Sequence, residues 1–160
     1  METITCYINR DWKGMGHARM TITRQSGKEF VAAIFLVDLY CLGVKDVMGG
    51  IHKRTMFQAM LPAVYFDGKP EVIDFDLARD IVWGGVQYAR SLGFEPPSEF
   101  EGEKYLLGVE TTPQNNIIFG GPAGKPLYVV GPQDIPENII QSLEERLGKD
   151  GFQVVYPDEF

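Results

Sequence analysis

At 160 residues, 44% of them apolar and 12% aromatic, the chain is long enough to bury a core and too apolar for a disordered segment. Fifteen basic residues against twenty-two acidic ones leave a net charge of −7, the wrong sign for a protein whose main task is gripping phosphate backbones. No run approaches the roughly 18 apolar residues of a bilayer-spanning helix. Met1 to Tyr7 carries neither a basic n-region nor an apolar h-region, so the expectation is a cytoplasmic protein with no membrane partner.

Residues 3–8 alternate Thr3, Thr5 and Tyr7 against Ile4, Cys6 and Ile8, the period of a half-buried strand. Asn9 to Gly16 reads as a glycine-bearing loop. Ala18, Met20 and Ile22 then alternate with Arg19, Thr21 and Thr23, and Gln25 to Lys28 is a turn signal, so residues 18–37 predict a β-hairpin. Phe30 to Val37 is continuously apolar, as in a strand covered on both faces. Met48-Gly49-Gly50 predicts a break, after which Ile51 to Leu61 forms a short helix ending before Pro62.

Phe66 to Pro70 is a turn, and Asp74 is placed to cap a helix from about Phe75 to Leu92 with Leu77, Ile81, Gly84, Gly85, Tyr88 and Leu92 along its buried stripe. Two glycines inside that helix cost roughly 1 kcal/mol each against alanine, which is understandable if another backbone packs there. Gly93 to Gly102 links the halves. Tyr105–Val109, Asn116–Phe119 and Leu127–Val130 are three strand patterns, with Gly120 to Pro126 as a hairpin loop between the last two. Asp134 and Glu137 have capping-box spacing before a helix that stops at Gly148, and Val154 and Val155 supply a closing strand. These elements amount to an α+β fold: antiparallel sheet built from hairpins, packed by two main helices and one short one. The chain reads as a single domain of residues 1–160, with two lobes (1–94 and 103–160) on a Pro/Gly linker as the alternative.

Four stretches carry a resemblance. They are Trp12-Lys13-Gly14-Met15-Gly16-His17, the run Phe35 to Asp46, Ala89-Arg90-Ser91-Leu92-Gly93-Phe94-Glu95-Pro96, and the run Gly124 to Pro132. Together they resemble an uncharacterised family of bacterial proteins, some of whose members carry a cysteine-rich metal-binding tail of the SEC-C type. The resemblance implies no activity. The sequence has no such tail, so it implies no zinc, and Pro97-Ser98-Glu99 stands where a histidine-containing triplet would be expected in relatives.

The candidate chemistry lies where the apolar run ends. Asp38, Cys41, Lys45 and Asp46 fall within nine positions, and ionisable groups at the end of a buried strand need partners. In the catalytic reading Cys41 is a nucleophile or a ligand, Lys45 lowers its pKa, and Asp38 or Asp46 binds a metal or a base. In the structural reading Cys41 is an apolar filler and Lys45 pairs with a carboxylate. Cys6, His17, Cys41 and His52 make a zinc-like count without the close pairs of a structural zinc site, so no metal and no cofactor is called for. The cysteines are expected to remain buried thiols.

Gly120 to Lys125 lacks the phosphate-loop pattern and leads into a strand rather than a helix. Trp12 with Arg10 and Lys13, and His52-Lys53-Arg54, offer an aromatic-plus-basic patch for single-stranded nucleic acid, against the reading of Trp12 as a cover for the sheet. Nucleic acid is disfavoured by net charge, because the basic cluster of the first third is outweighed by acids such as Glu99, Glu101, Glu103, Asp158 and Glu159. The expected function is a non-catalytic binding or accessory module acting through a protein partner. Its alternative is a small hydrolase of phosphodiesters with its site at Asp38, Cys41, Lys45 and Asp46. A pocket converging on those four favours the enzyme; a flat apolar patch around Trp12, Phe57 and Tyr65 favours the adaptor.

Overall fold

The computed structural model describes residues 1–157, so Asp158 and Glu159 lie outside the described residues. Five strands form one antiparallel sheet in the order β4-β3-β2-β1-β5: β1 (Glu2–Ile8), β2 (His17–Ser26), β3 (Glu29–Asp38), β4 (Gly43–Ile51) and β5 (Glu71–Ile73). The β2–β3 hairpin runs in continuous register from Ser26↔Glu29 to His17↔Asp38. Its two-faced burial follows from the side-chain period of two. Ala33, Phe35 and Val37 enter the main core beneath α3 (Phe75–Ser91), while Phe30, Ala32 and Ile34 face α2 (Arg54–Val64) on the other side. Fully buried residues such as Phe35, Met20 and Ile22 each contribute roughly 1.5–3 kcal/mol by leaving water. No helix among the described residues is long and apolar enough to cross a membrane.

The remaining elements are α1 (Trp12–Met15), α4 (Glu99–Glu103), a 3-10 turn (Lys104–Leu107), β6 (Leu127–Val129), α5 (Pro136–Leu147) and β7 (Gln153–Val155). Phe100, Leu106 and Leu107 join the main core. Cys41, Leu92, Tyr128, Val130, Leu143 and Phe152 form a second, smaller core beneath α5. The fold is α+β, as the pattern predicts.

Several local expectations need correction. Met48-Gly49-Gly50 does not break the chain but lies inside β4, where the Glu103 side chain covers Gly49 in the space a Cβ would need. The second helix starts later and contains Pro62, which forfeits one backbone bond while Tyr65 N still reaches the Leu61 carbonyl. Residues 105–109 are not a strand, because adjacent Leu106 and Leu107 are both fully buried and a half-exposed strand cannot bury neighbours on one face. Asn116–Phe119 joins no ladder. Gly120 to Pro126 is therefore a turn, closed by Gly121 N donating to Lys125 O at 2.7 Å, rather than a hairpin loop, and β6 pairs with β7 in parallel. The last helix begins at Pro136, whose fixed φ suits the first helical position and whose ring keeps Ile135 out of the helix. Asp134 is accordingly not its cap.

Candidate functional site

The 38–46 block is organised by Asp38. Nine-tenths and more buried, it points back over its own turn, accepting Tyr40 N at 2.9 Å on Oδ1 and Leu42 N at 3.0 Å on Oδ2. Both oxygens therefore hold the β3–β4 connection, the Asx-type bonding that short acidic side chains favour in turns. Opposite it in register sits His17. Burial pushes the Asp38 carboxyl up, against the pull of the Leu42 N–H and of His17, and the same burial pushes His17 down against the attraction of Asp38.

Cys41 is fully buried in the smaller core, and its thiol is pushed up to about 12 by burial and then by the Asp38 charge, with Lys45 acting only weakly in the other direction. A thiol so placed is the opposite of an activated nucleophile. Lys45 lies 3.8 Å from Asp134, and Asp134 Oδ2 also accepts Tyr128 Oη at 2.9 Å and Gly131 N at 2.7 Å. Lys45 thus ties β4 to the C-terminal core. Asp46 is exposed, its carboxylate accepting its own neighbour's Val47 N. The charges of Asp38 and Lys45 both act on Cys41 and on His17, whereas Asp46 acts on neither.

A partly enclosed concavity lies next to this block. A cleft of about 330 Å³ is lined by Trp12, Lys13, Gly14 and Gly16, by Leu39 and Tyr40, and by Asn116, Ile117, Ile118, Gly120, Gly121 and Pro122. None of the four candidate catalytic residues lines it. Asp38 shapes it indirectly: the turn it holds carries Leu39 and Tyr40, Tyr40 Oη donates to Gly14 O at 3.0 Å, and the Tyr40 ring fills the space above Gly16. Leu39 N also donates to the carbonyl of Gly16, itself at φ 69°, so α1 and the β3 exit form one wall. Among the described residues Lys13 is the one charged residue in the lining, its ammonium 5.5 Å from the Trp12 ring centroid.

The other wall is set by a residue the sequence reading passed over. Asp80, on α3 and 1% exposed, accepts Gln114 N, Asn115 N and Asn115 Nδ2 on Oδ2, each at 2.9 Å. Burial pushes its carboxyl up, but those donors together hold it below the ordinary carboxylate range. Farther on, Phe119 stacks on Tyr88 with centroids 5.6 Å apart and fits over Gly84, whose absent Cβ would lie 2.5 Å from Phe119 Cζ. The signal for Asp80 was its position, three residues after Leu77 and four before Gly84, on the stripe the helix buries.

Trp12, Phe57 and Tyr65 are all buried and form no flat apolar patch, so the feature that would have favoured the adaptor is not found there. Trp12 closes the floor of the cleft, Phe57 packs on Phe30 beneath α2, and Tyr65 is held by its hydroxyl among the Tyr7 carbonyl, the Arg19 carbonyl and Thr21 Oγ1. The aromatic-plus-basic patch is divided as well. Arg54 sits over Phe30 at one end of β3 and Trp12 lies by Leu39 beyond the other, about 30 Å of strand apart. Both cysteines are free, and among the described residues no three His, Cys, Asp or Glu side chains are grouped to hold a metal ion. No family model, curated protein or solved structure matches the chain, so its site is read from its own geometry.

Proposed function

We propose that this chain is a non-catalytic binding module that works through a partner protein, and that the Trp12–Tyr40–Ile118 cleft is its working surface. The carrying observation is the composition of that cleft: among the described residues its walls are aromatic and aliphatic, with a single ammonium and no carboxylate, imidazole or thiol. Its volume suits one or two anchoring side chains of a partner. The groups that chemistry would need are committed elsewhere, Asp38 to two backbone N–H groups and Lys45 to Asp134. Two free, buried thiols fit a bacterial cytoplasmic setting.

The test is selection of a random peptide library on the immobilised chain and, in parallel, on Ile118→Asp. Ile118 is 82% exposed, so the substitution leaves the core alone while placing a charge at the cleft mouth. The reading expects peptides with an apolar anchor that are captured by the natural chain and not by the variant. Capture that ignores the substitution contradicts it. The nearness of Asp38 and Lys45 to both His17 and Cys41 is what favours the second reading, a phosphodiester hydrolase. Turnover of a chromogenic phosphodiester that vanishes in a folded Cys41→Ala chain would establish that one instead.

A further inference from the structure

Residues 116–119 behave as a strand that has no sheet. Their side chains alternate, with Ile117 and Phe119 packed against the main core and Asn116 and Ile118 turned outward. Both ends are pinned: Gln114 N and Asn115 N donate to Asp80, and Gly120 N donates to the Leu39 carbonyl at 2.9 Å. Between the pins, the backbone of these four residues makes no hydrogen bond to any described residue. Backbone donors and acceptors in a fixed row, unpaired among the described residues and beside an apolar cleft, are what an added strand uses.

Resting on the cleft reading above, we propose that the partner binds as an extended segment added along residues 116–119, with an apolar side chain in the cleft and a neighbouring carboxylate at Lys13. The pins mean the row is already ordered, so little backbone entropy is lost on this side when the segment arrives. Charge selects the partner. The chain as a whole is at −7, yet among the described residues the cleft presents only the Lys13 ammonium, so an acidic segment is repelled by the general surface and attracted here, which also sets its register. A strand adds through every second residue: one alternate set of its amides faces the row and the other faces away.

That alternation supplies the test. A peptide selected from the library is resynthesised with N-methyl groups on one alternate set of amides, then on the other, and the amide exchange of residues 116–119 is followed by NMR with and without the unmodified peptide. One N-methylated version is expected to lose at least about tenfold in affinity, the other to bind as before, and the amides of the row to slow on binding. Selection on Lys13→Glu is expected to replace the acidic residue of the motif by a basic one. A peptide that binds and is lost with Ile118→Asp, yet tolerates both N-methylated sets and leaves the row exchanging freely, overturns strand addition while leaving the cleft reading intact. Failure to select any peptide removes both.

Discussion

Gly43 and Gly85 touch backbone to backbone. A Cβ on Gly43, at φ 65°, would stand 2.5 Å from the Gly85 carbonyl oxygen, and a Cβ on Gly85 would stand 2.7 Å from Val37 Cγ1. The start of β4 therefore lies directly on α3, and this contact seats the turn that carries Leu39 and Tyr40 into the cleft. Of the glycine pair inside the helix, costly by propensity, Gly85 is explained by that approach and Gly84 by the Phe119 ring that covers it.

Substitution at either position should be felt as overpacking. Gly85→Ala is expected to lose on the order of 2 kcal/mol, and Gly43→Ala more, since it adds a strained left-handed backbone to the clash. Urea unfolding with an unchanged m-value measures both. Stability equal to the natural chain would mean that the helix and strand stand farther apart than described.

Cys41 is expected to be inert in the folded protein. Labelling by a thiol reagent at about pH 8 should proceed only at the rate of unfolding, and Cys41→Ala should bind selected peptides like the natural chain. Cys6 and Cys41 are both pushed from 9.0 to about 12, by burial above all. The folded state thus holds its thiol protons more tightly than the unfolded one. The stability this gives is whole below pH 9.0 and is lost as pH rises toward 12, so the urea midpoint should fall across that window and fall less in Cys6→Ala. Fast labelling of the native chain would contradict the burial on which the non-catalytic reading rests.

Asp80→Ala is expected to cost on the order of 1–2 kcal/mol, modest because Gln114 and Asn115 are exposed and water can replace the carboxylate. Its effect on binding should exceed its effect on stability, since the row it pins becomes free to wander. With its folded pKa held below 3.8, Asp80 contributes stability that is present above that value and lost as pH falls through the folded pKa. Acid titrations of the natural chain and Asp80→Asn should therefore converge at low pH. Equal peptide affinity in Asp80→Ala would remove the pinning role.

Asp134→Ala should destabilise more than Lys45→Ala. The lysine makes a single contact at 3.8 Å, whereas the aspartate also satisfies the Tyr128 hydroxyl and Gly131 N. Tyr128 is fully buried, so its orphaned hydroxyl carries the penalty of a lost partner, about 1–3 kcal/mol. Denaturant midpoints of the two variants decide the order.

The β2–β3 hairpin was legible because alternation and a turn signal coincide, and α3 because apolar and small residues recur at helical spacing. β4 was not, since Lys45 and Asp46 sit across an irregular register and Gly49 and Gly50 mimic a loop; the Glu103 side chain lying on the strand explains Gly49, and a left-handed φ of 71° explains Gly50. Asn116–Phe119 shows that a strand pattern fixes side-chain alternation without fixing a partner. The 38–46 block drew attention correctly as a place where charges must be satisfied. What the sequence could not convey is that Asp38 satisfies itself on its own turn, leaving the concavity to Trp12, Tyr40 and a segment eighty residues away.

The most direct measurement is the affinity of one selected peptide for three chains: natural, Ile118→Asp and Cys41→Ala. The account predicts that Ile118→Asp loses at least about tenfold while Cys41→Ala binds within about twofold of the natural chain. Equal affinity in Ile118→Asp, or binding lost in a folded Cys41→Ala, would place the working surface elsewhere.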